Sequence, residues 1–593
     1  MTSQPPEPAD LADLRDRGVA LHRAGRLDEA RDLYQQVLRR DPNRFDVLLL
    51  LGQLLMQMGA VQPAAAVLTR ATQVNPGAPA AHGLLSEALH ASGRPEEALA
   101  SVDRALALQP NAQAWVNRGA ILVALRRPDE ALASYEAAIA LDPGLAEAHN
   151  NRGLALMGPG RFEEALASFE AAVALKPDYA EAHHSRAAPL LALKRPADAL
   201  EACDRALALR PGEPGYHNSR GLALNALRHY TEALAAYQRA IALRADFAEA
   251  LNNRALVLVK LGRQDEAMAS LEAAIAARPD YAAPRFGRAV AWLLDGRFDE
   301  GWREYEWRRR RGPPPAPPLD DARQWRGEDL AGRTLYVHRE QGLGDTIQFA
   351  RYVKALGEGG ARVAFSVQGP LKPLLRQLEP AVAVLGDGEA PPPFDVHCPL
   401  LSLPLAFGTT PETIPSPEGY LRADEARTAR FAARLGPRGR PRVGLAWSGN
   451  PEHDNDHNRS IPFRLLGPLL GADADFACLQ DAVRPSDTEA FTSAGRVGFH
   501  GGELKDFADT AALVAMMDLV ITVDTSLAHL AGALGRPVWI LLPFVPDWRW
   551  MRDRPDSPWY ANARLFRQPR IGDWDSVVEA VRREMAIRLD LRL

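Results

Sequence analysis

The chain has 593 residues, too many for one hydrophobic core, and its length predicts three or four units of ordinary domain size. Hydrophobic residues make up 47% and charged residues 24%, an ordinary globular composition, and a net charge of −5 gives no general attraction for nucleic acid or anionic lipid. The three cysteines, Cys203, Cys398 and Cys478, lie too far apart for a CxxC zinc pattern or a disulfide framework. The most apolar stretch contains Asp524, His529 and Arg536, so it reads as a buried βαβ segment rather than a membrane span. The first residues lack a basic segment followed by an apolar core, and the expectation is a cytoplasmic protein.

Residues 1–10 read as disordered. From residue 11 to 312 a short signature (Asp/Glu-Glu-Ala-Leu or a relative) recurs, with its small residue at Ala30, Ala64, Ala98, Ala131, Ala165, Ala199, Ala233, Ala267 and Gly301. The steps are 34 residues, with a single step of 33 between Ala98 and Ala131. A proline follows each second helix at Pro42, Pro76, Pro110, Pro143, Pro177, Pro211, Pro279 and Pro313, with Ala245 in that place once. Proline cannot continue a helix, so it marks the turn into the next unit. Thirty-four residues accommodate two short amphipathic helices that bury their apolar stripes only by stacking on neighbours. The pattern, with glycines at Gly119, Gly153 and Gly221, resembles the tetratricopeptide repeat and predicts an α-solenoid of about nine units. Pro189 interrupts the helix A that precedes Ala199, and "MGPGRF" strains the turn before it.

A second row lies fourteen residues before the helix-B alanines: Asn117, Asn151, Ser185, Ser219 and Asn253, accompanied by Asn150, Asn218 and Asn252. An amide side chain donates and accepts at once, as a peptide group does. The row resembles the asparagine ladder with which O-GlcNAc-transferase-type repeat arrays hold peptide backbones, which implies a protein or peptide partner in the groove. The plainer reading is a solvated polar row, with Arg118, Arg152, Arg186, Arg220, Arg254 and Arg288 covering the seams between repeats.

The array ends in "GWREYEWRRRRGPPPAPPLD". Residues 313–320 read as a proline-rich linker, and Trp302, Tyr305 and Trp307 as the packing of a terminal helix against the next domain. One run of four arginines in an acidic chain is weak evidence for nucleic acid.

Beyond residue 320 the period changes. "TLYVHRE" and "RVAFSVQ" flank a helix, "DTIQFARYVKALGEGG"; after a helix at 424–435 come "RVGLAWSG", "ADFACLQ", "DLVITVD" and "PVWILLP". Strand–helix alternation in two blocks predicts two doubly wound lobes, 321–423 and 424–593, with ligands beyond the carboxyl ends of the strands. At the first such end, "EQGLGD" places Gly342 and Gly344 in a tight turn, with Asp345 as the helix cap and Gln348 completing a capping box. At the second, Asp524 ends a strand, Thr525 and Ser526 start a helix and His529 lies one turn on. A helix N-terminus with two hydroxyls suits a diphosphate; a plain cap with a buried histidine fits the residues equally well.

"GLGDTIQFARYV", the segment around Arg459-Ser460, and "DFADTAALVAMMDLVITVDTSLAHLAGALGRPVW" together resemble the heptosyltransferase-type glycosyltransferases of family nine, over about residues 330–590. The resemblance implies a GT-B fold of two Rossmann-like lobes, a nucleotide-diphosphate sugar as co-substrate, no cofactor or metal, and inversion at the anomeric carbon. By position Asp345 matches the catalytic base, Arg459 a cation near the donor phosphates, and Asp524, Thr525, Ser526 and His529, with Gly342 and Gly344, the donor site. Ser526 stands where that family has glycine. "LLPFVPDWRWMRDRPDSPWY" replaces its glycine-rich loop, with Trp548, Trp550 and Trp559 as stacking faces or a hydrophobic lid.

The segment "HDNDHNRS" (453–460) remains. His453 and His457 would converge on a metal only within a helix, and Asp454-Asn455-Asp456 matches the DxD string of metal-dependent transferases of another fold. A donor-side loop whose important residue is Arg459 and a polar turn are the other readings. The whole chain reads as a glycosyltransferase acting on a hydroxyl acceptor, its repeats recruiting a protein. The alternatives are a non-catalytic repeat scaffold with a degenerate transferase domain and an O-GlcNAc-transferase-like enzyme acting on protein serine or threonine.

Overall fold

The computed structural model describes residues 9–312, 319–453 and 455–588, which form two compact units meeting between Ala245 and Asp246. Most of the expected disordered segment 1–10 and of the linker 313–320 lies outside the described residues, as does Asp454.

The first unit is a solenoid of helix hairpins, from Ala9–Arg23 with Leu27–Arg40 to Pro214–Ala226 with Tyr230–Leu243. Ala30, Ala64, Ala98, Ala131, Ala165, Ala199 and Ala233 are fully buried. Close packing is enforced from the facing helix too. A Cβ on Gly119, Gly153 or Gly221 would meet the ring of Tyr135, Phe169 or Tyr237 at 2.5 Å. Each turn between the two helices of a hairpin needs a left-handed residue. Gly25, Gly59, Gly93 and Gly160 supply it, but Arg126, Lys194 and Arg228 adopt φ of 58°, 58° and 64° there. His82, His149, His183 and His217 each reach back with Nε2 to the carbonyl of Pro76, Pro143, Pro177 or Pro211 at 2.9–3.1 Å, fastening a helix to the turn before it. Pro189 splits its helix A into Ala180–Ser185 and Ala187–Ala192, as its missing N–H requires.

The second unit begins with two further hairpins, Ala248–Lys260 with Gln264–Ala277 and Ala282–Leu294 with Phe298–Tyr305, so the repeat pattern runs on into the unit that carries both sheets. Its strands are β1 (Thr334–His338), β2 (Arg362–Ser366), β3 (Val382–Leu385), β4 (Val396–Pro399), β5 (Arg442–Ala446), β6 (Asp475–Cys478), β7 (Val497–Phe499), β8 (Leu519–Val523), β9 (Val538–Leu542) and β10 (Ala563–Arg567). They form two parallel sheets, ordered β3-β2-β1-β4 and β10-β9-β8-β5-β6-β7. This is the two-lobed α/β architecture of the GT-B type. No helix among the described residues is long and apolar enough to cross a membrane.

The helix Leu343–Glu358 is buried on every face from Thr346 to Val353, including Gln348 and Arg351. It lies under the first sheet, against the second lobe and against the last repeat helix. Trp302, 2% exposed, meets Trp548 at 5.2 Å, Phe298 at 5.5 Å and Phe349 at 6.5 Å, all edge to face. Arg308, first of the four arginines, is buried and paired with Glu306 at 2.7 Å and Glu340 at 2.8 Å. The aromatic and arginine run is therefore a packed joint. Trp302→Ala should cost about 3–5 kcal/mol in urea unfolding of the second unit, as loss of a core tryptophan does. A loss below ~1 kcal/mol would show that the joint contributes little.

Candidate functional site

Both loops singled out in the sequence lie at carboxyl ends of central strands, after β1 and after β8. Asp345 is not the helix cap: the helix Leu343–Glu358 starts earlier, with Gly342 as its N-cap and Asp345 in its first turn. The Asp345 Oδ2 accepts the Gly342 N–H at 2.8 Å, so the side chain reaches back over the helix start. Gln348 does not share in that cap, because its Oε1 accepts a hydrogen bond from Arg549 at 2.6 Å. Of the two glycines only Gly342 precedes the helix, and the left-handed turn residue is Gln341, at φ 44°.

The opposing loop is built as expected. Thr525 caps the helix Ser526–Ala533, its hydroxyl accepting the Leu527 N–H at 3.3 Å. The two loops meet: a Cβ on Gly344 would lie 3.4 Å from the Ser526 Cα and 2.9 Å from the His529 ring. A glycine at 344 is what lets a serine-bearing helix start approach so closely. His529 is buried, its Nδ1 3.0 Å from the Tyr560 hydroxyl and its ring stacked on Trp550 at 5.4 Å. Burial, with Arg549 and Arg351 nearby, holds its pKa well below the usual histidine range, so the ring is neutral.

Arg459 donates from Nη1 to the Asp524 carbonyl at 3.0 Å, which places a cation beside the same helix start. Residues 455–460 fold around Asp456. That buried carboxylate accepts from Arg484 at 2.7 Å and from the Ser460 hydroxyl at 2.7 Å, and Ser460 in turn accepts the Gly449 N–H at 3.0 Å. Asp456, His457 and Arg459 share a single helical turn, Asp456–Arg459, and His453 precedes it. Asp345, Gly342, Gly344, Asp524, Thr525, Ser526, His529 and Arg459 thus form one constellation within the second unit.

The residue missed in the sequence is Arg549. It follows β9, is 7% exposed, and donates to Asp345, to Gln348 at 2.6 Å and to Asp547 at 2.8 Å, with its guanidinium 4.3 Å from the Trp548 ring centre. The only signal for it was the composition of "DWRW". Trp548, Trp550 and Trp559 are not presented as stacking faces; at 3%, 0% and 0% exposure they are core. Burial raises the Asp345 pKa, while Arg549 and the Gly342 N–H oppose the rise. Asp524 is pushed up to about 6 by burial and by Asp547, against Trp550, Arg459 and Arg549.

The polar row divides between the units. In the first, Asn117 donates to Glu87 at 2.8 Å, and Asn150 is buried with its Oδ1 unpartnered while its amide faces Asn151 at 3.4 Å. Asn218 is half-buried in the same unit, whereas Asn252, buried, and Asn253 stand in the second. Several of the neighbouring arginines are engaged across helices, Arg118 with Asp103 at 2.7 Å, Arg220 with Asp204 at 2.7 Å and Arg288 with Glu304 at 2.6 Å.

Comparison with known proteins agrees with both parts. Tetratricopeptide repeat models match residues 21–73, several overlapping windows within 49–214, and 229–262 and 248–281. The glycosyltransferase family 9 (heptosyltransferase) model matches residues 501–541. Tetratricopeptide repeat models thus match the N-terminal region, and the family 9 model matches a short segment near the C-terminus. Protein FlbA of Caulobacter vibrioides is 30% identical over 318 residues, which cover 47% of this chain and 51% of that protein, so the chain spans about half the length of its curated relative. Among solved structures, MamA from Desulfovibrio magneticus is 20% identical over 28% of this chain and 95% of its own (TM-score 0.27). A tetratricopeptide repeat protein from Parabacteroides merdae is 16% identical over 42% of this chain and 98% of its own (TM-score 0.36).

Removing the Arg549 charge leaves a buried carboxylate unpaired, which typically costs about 3–5 kcal/mol. In Arg549→Met the Asp345 pKa should rise further. An acid whose folded pKa lies above its unfolded value destabilises the fold at high pH and regains stability as pH falls through the folded pKa. The stability deficit of Arg549→Met is therefore expected to shrink between pH 8 and 5 in denaturant titrations, and adding Asp345→Asn should reduce that pH dependence to the part Asp524 contributes. A deficit independent of pH would show that Asp345 is not the group left unpaired.

Proposed function

We propose that the second unit is a glycosyltransferase that moves a sugar from a nucleotide-diphosphate donor to an acceptor hydroxyl, and that the repeats bring a protein to it. The observation that carries this reading is the meeting of the Asp345 loop with the Thr525–Ser526 helix start and Arg459. A carboxylate and an anion-binding helix end thus face one another at the strand termini. The acceptor oxygen attacks the anomeric carbon as Asp345 takes its proton. The bond to the diphosphate breaks, and that group leaves with the electron pair, met by the Ser526 backbone N–H, the Thr525 hydroxyl and Arg459. Attack opposite the leaving group inverts the anomeric centre. The family resemblance implies that no metal takes part, and Asp456 is already committed to Arg484 and Ser460.

Asp345 can act as a base only once Arg549 releases it. The diphosphate is the natural competitor, since Arg549 lies in the same constellation and a phosphate accepts its bidentate fork as well as a carboxylate does. The same clamp is the observation that favours the rival reading, a scaffold with an inactive transferase fold. In the repeats, the unpartnered Asn150 carbonyl beside Asn151 supports a peptide ligand.

Incubation with a panel of nucleotide sugars and co-expressed host proteins, followed by intact-mass analysis, separates the two. The transferase reading expects a hexose-sized or related mass increment that Asp345→Asn lowers by about 10²–10⁴-fold without loss of nucleotide binding. Equal turnover in Asp345→Asn would remove the base, and no increment with any donor would favour the scaffold.

A further inference from the structure

The left-handed turns of the repeat hairpins do not require glycine, since Arg126, Lys194 and Arg228 adopt them. At Gly25, Gly59 and Gly93 an added Cβ would meet nothing within 4 Å, so these glycines answer to backbone conformation alone. The last two hairpins differ. A Cβ on Gly262 would lie 2.5 Å from the Phe544 ring, and one on Gly296 would lie 2.7 Å from the Met551 Cε. Both contacts come from the loop between β9 and β10, and the same loop makes a third: Arg552 pairs with Asp295, beside Gly296, at 2.7 Å. Trp548 of this loop also meets Trp302 and Tyr305 of the last repeat helix edge to face, at 5.2 and 5.9 Å.

The loop is strained where the repeats hold it. Met551 adopts φ 52° and ψ −176°, a region populated almost entirely by glycine, and Asp553 is left-handed at φ 48°. Such backbone persists only where its surroundings over-determine it. Arg567 pins both feet of the arch, donating to the Trp550 carbonyl at 2.6 Å and to the Arg554 carbonyl at 3.2 Å. The repeats hold its crown, through Met551 on Gly296 and Arg552 on Asp295. Two residues before Met551 stands Arg549, which holds Asp345 and Gln348.

We propose that the last two repeat hairpins set the state of Asp345 through this loop, with Asp295 and Arg552 as positioning residues. In the arrangement seen, the hairpins hold the arch and the arch keeps Arg549 on Asp345. When the Asp295–Arg552 grip loosens, Met551 and Asp553 relax toward ordinary backbone and Arg549 withdraws from the carboxylate. The repeats thereby gain a route to the candidate base. The coupling is reciprocal: a ligand that draws Arg549 off Asp345 loosens the grip on Asp295 to the same extent. It is a property of loop and hairpins, and only its effect on sugar transfer rests on the transferase reading.

Hydrogen–deuterium exchange of the full chain tests the coupling without any ligand. Asparagine tolerates a left-handed turn, so Gly296→Asn keeps the turn and adds the Cβ that meets Met551; Gly93→Asn makes the same change where nothing is near. Exchange at the start of the helix Leu343–Glu358 should rise by about fivefold or more in Gly296→Asn and in Arg552→Gln, and not at all in Gly93→Asn. A rise confined to residues 282–305 would overturn the proposal. So would an equal rise in β6 and β7, at the far edge of the second sheet, which would mark general loosening. Titration with UDP, GDP, ADP and CDP adds a readout that lost packing would not give: a nucleotide that binds the parent chain should bind Arg552→Gln about fivefold more tightly or better. Unchanged or weaker binding would contradict the coupling. If no nucleotide binds the parent chain, the transferase reading falls and the exchange result alone decides the coupling.

Discussion

The buried guanidinium of Arg549 is the constraint on which the second unit turns. A charge taken out of water must be paired and hydrogen-bonded, and Arg549 meets that need from both lobes at once: Asp345 and Gln348 on one, Asp547 on its own. Closing those bonds draws the loop after β9 onto the start of the Asp345 helix. The same closure packs Trp550 on His529 and leaves no room for a side chain at Gly344. One helical turn further, Arg351 repeats the device with a different solution. It donates to the Trp559 carbonyl at 2.8 Å and lies between the Tyr420 and Tyr560 rings, each 4.8 Å away. Two arginines thus join the lobes at the helix that bears the candidate base.

This joint also explains why the repeats do not stop where the sheets begin. The tryptophans of the loop after β9 have Trp302 and Phe298 as packing partners, so the final repeat hairpin supplies part of the core behind the site. Gly262 and Gly296, the left-handed turns of the last two hairpins, abut Phe544 and Met551 of the same loop. Lobes without the final repeat hairpin would expose this aromatic cluster. The compact unit that carries both sheets accordingly begins at Asp246.

Much of this was legible in the sequence, for identifiable reasons. The repeats announce themselves because the proline and alanine positions are dictated by local sterics alone. Strands β1, β2, β5, β6, β8 and β9 are central and read as apolar runs. β3, β4 and β7 span only four, four and three residues, β4 ends in a proline, and β10 is bracketed by arginines, so none carries a periodic signal. Asp345 and Thr525 stand out because helix starts follow local rules. Arg549 does not, because its partner Asp345 is 204 residues away and the nearby Asp547 reads in sequence as an ordinary local pair. The placement of Asp345 as the cap failed by one turn: Gly342, with no side chain, takes that position and the aspartate reaches back to it. The tryptophans misled because aromatic residues in a polar loop suggest a ligand face, whereas here they fill a core shared by repeat and lobes.

On the proposed function, a donor diphosphate sits at the Ser526 helix start and draws Arg549 away from Asp345. Hydrogen–deuterium exchange of the full chain, with and without UDP, GDP, ADP and CDP, tests it directly. With one of these nucleotides the amides of Ser526 and Leu527 should gain protection. The first turn of the Asp345 helix should lose it in the same sample, and Arg459→Gln should abolish both changes. Protection that appears elsewhere, or none with any nucleotide, would contradict the claim.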